Sequence, residues 1–324
     1  MTLGLLAAAV AAAAGILFGM WWVPYQRARG ITTRDVHKGI DAVPRSGGLV
    51  AVVAATAGYC VASAGVEGAI PVLVASLCAG LLGFIDDIRG VNEYVRVLVP
   101  TLVALVVARS AVKAGGALML TIPLAACFSG TAALFAVLAI PIMANAFNML
   151  DPVNGFLPAA SAIAGCAVAA VAALRGQADA ACLLLVHVAA SAALYAFNRY
   201  PARALNGNAG SYFLGASLSA VAVFYDLVAY MVLAALPFVI NGALIVFSSR
   251  GVRGREKIER PTLLAGGAVV QNCNSGVISL VRVLVADRPM GEYEIFKSLT
   301  ALVALSSCLT VALAAALKLA GAAV

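Results

Sequence analysis

The sequence predicts an all-α, polytopic integral membrane protein with about ten transmembrane helices. Three observations carry that reading. Of 324 residues, 63% are hydrophobic and 11% charged, with a mean hydropathy of +1.02. Apolar runs of about 18 or more residues, the length a helix needs to cross a bilayer, recur along the whole chain. The runs are continuous rather than alternating, which excludes a transmembrane barrel. Thirty glycines suit helices in close contact within lipid.

Taken in order, the spans fall at about 2–23, 47–65, 68–85, 97–112, 124–144, 156–174, 180–197, 211–227, 229–247 and 299–319. No Lys or Arg precedes the first run, and Arg27 and Arg29 follow it. That polarity fits a first membrane helix with its N-terminus outside rather than a cleaved leader. The second span opens on Gly47-Gly48, and the third runs into Asp86-Asp87. Residues 114–123, with Gly115-Gly116, read as a short outer hairpin or helix cap. Asn154-Gly155 suits a turn before the sixth span, and Pro152 disfavours helix at Asp151. His187 in the seventh span reads as a packed, hydrogen-bonded histidine. Residues 275–296 read as an amphipathic interfacial helix before the last span.

With the N-terminus outside, the inner loops are about 24–46, 86–96, 145–155, 198–210 and 248–298. They hold 5, 2, 0, 2 and 8 Lys and Arg residues, or 17 of the chain's 21. Only Arg109, Lys113, Arg175 and Lys318 fall at or near the outer side. Basic residues concentrate on cytoplasmic loops, so both termini are expected to be extracytoplasmic. The chain reads as one membrane domain, 1–324, in the cell membrane, with its polar clusters facing the cytoplasm. The net charge of +7 then reflects orientation and anionic ligands. Basic loops without aromatic stacking platforms give no reason to expect nucleic acid. Six of seven cysteines lie in apolar segments, Cys273 lies in a loop, and no Cys-x-x-Cys pair occurs, which argues for free thiols over zinc or disulfides.

The inner loops carry the chemistry. The first contains Asp35-Val36-His37-Lys38, then Arg45-Ser46-Gly47-Gly48. Lys38 offers a mobile point charge, Arg45 a fork that matches phosphate oxygens, and Gly47-Gly48 backbone N–H groups for an anion. A basic loop that only sets topology fits this segment equally well. In the second, charged side chains at a helix mouth are costly in hydrocarbon, so Asp86-Asp87 suggests a divalent cation, a phosphate site or both. Adjacent helical residues diverge by about 100°, so the two carboxylates face different neighbours. The third loop, Asn145-Ala146-Phe147-Asn148-Met149-Leu150-Asp151-Pro152-Val153-Asn154-Gly155, places Asn145 and Asn148 on one helix face and carries no basic residue. The fourth contains Asn198-Arg199-Tyr200-Pro201-Ala202-Arg203, then Gly207-Asn208-Ala209-Gly210-Ser211, a glycine-bracketed turn that could cradle phosphate or simply cap a helix through Ser211. The fifth carries Arg250, Arg253, Arg255, Lys257 and Arg260, suited to a diphosphate or to anionic lipid.

In this order, Asp-Val-His-Lys with Gly-Gly, Phe-Ile-Asp-Asp, Asn-Ala-Phe-Asn with Asn-Gly, and Asn-Arg-Tyr-Pro-Ala-Arg before Gly-Asn-x-Gly-Ser resemble the polyprenyl-phosphate N-acetylhexosamine-1-phosphate transferases (glycosyltransferase family 4). The likeness covers nearly the whole chain. Asn154-Gly155, Tyr-Pro-Ala-Arg and the stretch around Asn274 resemble the archaeal and eukaryotic dolichyl-phosphate GlcNAc-1-phosphate transferases. The resemblance implies transfer of HexNAc-1-phosphate, here GlcNAc-1-phosphate, from a UDP-sugar to a membrane polyprenyl phosphate of dolichyl type, releasing UMP. This is the first membrane step of lipid-linked glycan synthesis, as in N-glycosylation. It implies Mg²⁺, with Mn²⁺ as a substitute, and it allows a homodimer. Asp86 and Asp87 would orient or deprotonate the lipid phosphate, and Lys38 and Arg96 would hold phosphates. Arg203, Arg45, Arg255 and Lys257 would lie nearby. Asn145 and Asn154 would line the nucleotide-sugar site, and Asn148, Asn208 and Asp151 would serve the metal. The family motif usually carries Asp where this chain has Asn208, and Asp151 would restore that charge. Rival readings are another UDP-sugar or undecaprenyl phosphate, and a catalytically weakened paralogue acting as a membrane partner. A transporter fits less well, because the polar groups gather at one face rather than at the midplane.

Overall fold

The computed structural model describes residues 2–35, 39–114, 129–251 and 259–321, with the backbone alone for Ile40 and 129–136. Helices α1 (Thr2–Ala28), α2 (Leu49–Ala62), α3 (Ala69–Arg89), α4 (Glu93–Lys113) and α5 (Ser129–Met149) form the first half of the bundle. Helices α6 (Phe156–Leu174), α7 (Ala178–Asn198), α8 (Gly207–Phe224), α9 (Val228–Ala234), α10 (Leu236–Ser248), α11 (Leu280–Leu284) and α12 (Glu292–Leu319) complete it. Among the described residues α1, α3, α4, α6, α7 and α12 are long and apolar enough to cross a membrane, and α9 with α10 form one bent pair that also qualifies. The protein is a polytopic helical membrane protein.

The centre of the bundle is α8. Every residue from Ala209 to Phe224 is buried, so it meets protein on all sides rather than lipid. It packs against α3, α5, α4, α2 and α7. Gly83 of α3 makes one of the closest of these contacts: a Cβ there would lie 2.3 Å from the Asn208 carbonyl oxygen. Helices α1, α4 and α12 keep long apolar faces outward, as lipid-facing helices do. Phe18, Trp21, Trp22 and Tyr25 of α1 stack at 5.1–5.8 Å, an aromatic cluster of the kind that marks a bilayer interface.

The structure departs from the sequence reading in three places. It is not purely α-helical: β1 (Thr32–Asp35) pairs with β2 (Ile40–Pro44), and β3 (Thr262–Ala265) with β4 (Ala268–Gln271), both antiparallel. These hairpins lie in loops read for charge rather than for alternation, and the Gly266-Gly267 turn was the available signal for the second. The ninth span is broken, with α9 and α10 bent by 79° at Ala235. Pro237 at the start of α10 has no N–H to continue the ladder. The Ala234 carbonyl instead accepts from Ser306 and Ser307 of α12 at 2.9 and 3.2 Å, which satisfies the break from a neighbouring helix. The interfacial helix expected over 275–296 shrinks to α11, while α12 starts at Glu292, seven residues before the expected 299, because its first turn carries Glu292 and Glu294. The hairpin or cap read at 114–123 lies almost wholly outside the described residues.

A candidate active site at the N-terminus of the central helix

Asp86 and Asp87 end α3 with side chains buried against two different helices, as their angular divergence requires. Asp87 faces α8. Its Oδ1 accepts the Asn208 backbone N–H at 2.8 Å and its Oδ2 the Ala209 N–H at 3.3 Å. A carboxylate on the first N–H groups of a helix satisfies orphan donors and meets the positive end of the dipole, an arrangement that contributes about 0.5–2 kcal/mol. The Ser46 hydroxyl adds a 3.4 Å contact, and the Arg45 guanidinium donates to the Asp87 carbonyl. Asp86 faces α4. Its Oδ1 accepts from Arg96 at 2.8 Å and from the Val91 N–H at 2.7 Å, and its Oδ2 accepts the Asn208 Nδ2 at 2.7 Å.

Asn208 therefore binds both acids, one through its backbone and the other through its side chain. One turn along α8, the Ser211 hydroxyl donates to Asn148 Oδ1 at 3.0 Å and lies 3.3 Å from the Asn208 carbonyl. Asn148 Nδ2 donates to the Tyr212 hydroxyl at 3.3 Å. Helices α3, α4, α5 and α8 thus share one hydrogen-bonded network at one end of the bundle. Asp151 is tied to the turn just ahead of α8 by Asn206, whose Nδ2 donates to both carboxylate oxygens at 3.0 and 3.2 Å.

The backbone around this point is tight. Gly207 has φ +65, and a Cβ there would sit 2.4 Å from Asp87 Oδ2 and 2.7 Å from the Arg45 carbonyl. The expected anion cradles are internal contacts instead. Gly47 N–H donates to the Leu205 carbonyl and Gly48 N–H to the Asn206 carbonyl, so neither is directed at an anion. The first α8 amides hold Asp87 rather than phosphate, and the helix starts at Gly207, which puts Ser211 inside it instead of at its cap.

Other expected residues have protein partners of their own. Asn145 donates to the Pro141 and Arg96 carbonyls at 2.8 and 3.2 Å, tying α5 to the first turn of α4. Asn154 is buried. Its Nδ2 donates to Asp35 at 2.8 Å and its N–H to Glu292 at 3.0 Å, while the Gly155 N–H donates to Asn198. This second polar knot joins β1, α7 and α12 to the start of α6. Arg203 is exposed, donates to the Ala196 carbonyl at the end of α7 and lies over the Phe197 ring at 4.8 Å. Lys38, His37, Arg253, Arg255 and Lys257 lie outside the described residues.

Sequence reasoning missed Gln26, Trp22, Ser46 and Asn206. Gln26 and Trp22 hold the Ser46 peptide from both sides: its N–H donates to Gln26 Oε1 at 3.0 Å, and its carbonyl accepts from Trp22 Nε1 at 2.9 Å. A carboxamide inside an apolar helix, as at Gln26, was the signal available.

Residues 69–226 match the model of glycosyl transferase family 4. Over this stretch, 158 of the chain's 324 residues, the chain is similar to that family. The family-matched segment runs from α3 to just past α8 and contains Asp86, Asp87, Arg96, Asn145, Asn148, Asp151, Asn154, Arg203 and Asn208. A Sulfolobus acidocaldarius protein with the provisional name UDP-N-acetylglucosamine--dolichyl-phosphate N-acetylglucosaminephosphotransferase is 28% identical over 243 residues, covering 69% of this chain and 72% of that protein. A Saccharolobus solfataricus protein with the same provisional name is 28% identical over 181 residues, covering 54% and 55%. The phospho-N-acetylmuramoyl-pentapeptide-transferase of Geobacillus kaustophilus is 28% identical over 225 residues, covering 65% and 69%.

Proposed function

We propose that the chain is a member of this family and transfers N-acetylhexosamine-1-phosphate, with GlcNAc-1-phosphate as the first choice, from a UDP-sugar to a membrane polyprenyl phosphate. The observation that carries the reading is the single network joining Asp87, Asp86, Asn208, Asn148 and Arg96 from four helices. A phosphate oxygen of the lipid forms a bond to the β-phosphorus of the UDP-sugar. The bond from that phosphorus to the bridging oxygen breaks, and UMP leaves with the electron pair. The nucleophile is already largely ionised, so the protein's task is positioning and charge neutralisation.

The chain supplies both. Arg96 is held by Asp86 through Nη2, while its buried Nε has no hydrogen-bond partner among the described residues, a donor suited to a phosphate oxygen. Asp87, fixed by the α8 amides, is the group that orients the lipid phosphate or accepts its proton.

The donor set also fits a hard divalent cation. Asp86, Asp87, Asp151, Asn148 and Asn208 offer oxygen ligands, with no thiol or imidazole in the network. No group of three His, Cys, Asp or Glu residues converges among the described residues, so an ion here would share its shell with substrate phosphate and water, as Mg²⁺ commonly does. Asp151, Asn148 and Asn208 would hold it. When bound it offsets charge on the pyrophosphate. Mn²⁺ would serve in its place.

The names of the archaeal relatives favour dolichyl-type phosphate and UDP-GlcNAc. The likeness to a phospho-N-acetylmuramoyl-pentapeptide-transferase favours, as a second reading, the same chemistry on another UDP-sugar or lipid. We place the site at the cytoplasmic face of the cell membrane, on ten spans, because 17 of 21 basic residues fall on that side's loops. The test is UMP release by purified protein from UDP-GlcNAc with Mg²⁺ and either dolichyl or undecaprenyl phosphate. Turnover that chelation abolishes is expected. No product from any UDP-sugar overturns the reading.

A further inference from the structure

We propose that Asn206 is a positioning residue that aims Asp151 at the cation-bound pyrophosphate; this rests on the transferase reading above. Asn206 is 3% exposed and stands just ahead of Gly207 and Asn208. Its Nδ2 spans both oxygens of Asp151 at 3.0 and 3.2 Å, a contact that fixes the plane of the carboxylate as well as its position. Its backbone carbonyl accepts the Gly48 N–H at 2.9 Å, which anchors the residue to the start of α2. An ionised carboxylate is an acceptor only, so the amide must turn its nitrogen toward Asp151 and its oxygen away. That oxygen is buried and has no hydrogen-bond partner among the described residues.

The orphaned oxygen argues against a purely structural role. Burying an unsatisfied carbonyl costs stability, and an apolar side chain of the same shape would avoid that cost. A residue that only packed this turn would therefore do better as leucine. Asn206 is intelligible if the contact with Asp151 is what matters. Asn206 meets both oxygens of Asp151 with an uncharged amide. A neutral donor orients a carboxylate while leaving its negative charge in place for a cation.

The test compares wild type, Asn206→Leu, Asp151→Asn and the double variant. Each is purified in detergent and measured for Mn²⁺ binding by electron paramagnetic resonance in the presence of UDP, for thermal unfolding, and for UMP release. Asn206→Leu is expected to unfold at or above the wild-type temperature, bind Mn²⁺ at least fivefold more weakly and lose at least tenfold in kcat. In the Asp151→Asn background the same substitution should cost nothing further, because Asn206 acts through Asp151. Wild-type Mn²⁺ binding and turnover in Asn206→Leu, or equal losses in both backgrounds, overturn the inference while leaving the transferase reading intact. A wild-type protein that neither binds Mn²⁺ nor releases UMP overturns the reading and this inference with it. Should Asn206→Leu fail to fold, Asn206→Gln is measured in its place: displacing the amide should shift Mn²⁺ affinity, and an unchanged affinity overturns the proposal.

Discussion

Gly207→Ala probes the close contact between the start of α8 and Asp87. The added methyl group meets two separate obstacles. At φ +65 a Cβ is itself disfavoured, by roughly 1–2 kcal/mol. It also falls 2.4 Å from Asp87 Oδ2 and 2.7 Å from the Arg45 carbonyl, and overpacking of this kind typically costs about 1–3 kcal/mol. The total is roughly 2–5 kcal/mol. Gly176 provides the control, since it has φ +75 but nothing within 4 Å of its would-be Cβ. Gly176→Ala should therefore show the backbone cost alone, about 1–2 kcal/mol. The two variants are compared by thermal unfolding in one detergent and by UMP release at saturating substrates. Because relief of the clash must push Asp87 off the α8 amides, and a shift of about 1 Å at a reacting centre costs on the order of 100-fold, Gly207→Ala should lose roughly that factor in turnover. Gly176→Ala should stay within about twofold of wild type, since it alters no contact at the site. Equal unfolding temperatures and equal turnover for the two would refute the claim that Asp87 is held rigidly on the helix terminus.

Three further outcomes follow from the same geometry. Arg96→Ala leaves the buried Asp86 carboxylate without its charged partner and should destabilise by about 3–5 kcal/mol, with a double-mutant cycle against Asp86→Asn showing strong coupling in unfolding measurements. His187 bridges Ser161 at 2.9 Å and Ser217 at 3.1 Å deep in the bundle, so His187→Ala should cost about 1–3 kcal/mol at roughly 0.6–1.7 kcal/mol per contact, with kcat of the folded fraction unchanged. Asp151→Asn should abolish turnover while Asn208→Asp retains or improves it, and the second variant's melting temperature should rise with added Mg²⁺ where the wild type's does not. An inert Asp151→Asn phenotype ends the idea that Asp151 restores charge near the cation.

The helices were legible because each writes its own signal: an apolar run with polar punctuation. Asp86, Asp87, Asn148 and Asn208 were legible because polar residues at helix mouths are costly in lipid and so conspicuous. Their grouping was an expectation from motif order, and the network of α3, α5 and α8 gives it a geometry. The direction of individual contacts was not legible. Gly47-Gly48 and the turn before α8 look like anion cradles in sequence, because a free N–H and a satisfied one are written with the same residues. Long-range partners decided between them: the Leu205 and Asn206 carbonyls for one, Asp87 for the other. Asn154, expected to line the nucleotide-sugar site, is held by Asp35, 119 residues away in sequence. Nothing local encodes that pairing.

The two adjacent acids illustrate why a site at a membrane face is built on a helix terminus. Two carboxylates about 4 Å apart repel by on the order of 4 kcal/mol at an effective dielectric near 20. Helical geometry already turns them apart, and each then receives a different form of positive potential. Asp86 meets a full charge on Arg96, and Asp87 meets the partial charge of the α8 N-terminus. Asn208 serves both without adding charge of its own, its side-chain nitrogen on Asp86 and its backbone nitrogen on Asp87. An aspartate at 208 would place a third carboxylate where the carboxamide now donates at 2.7 Å, and it would need a proton or a cation to remain there. Asparagine lets the network assemble from the chain's own donors, so the site can be formed before a metal-bound pyrophosphate arrives, and circular dichroism and unfolding of the chelated protein should match those of the Mg²⁺-loaded form without substrate.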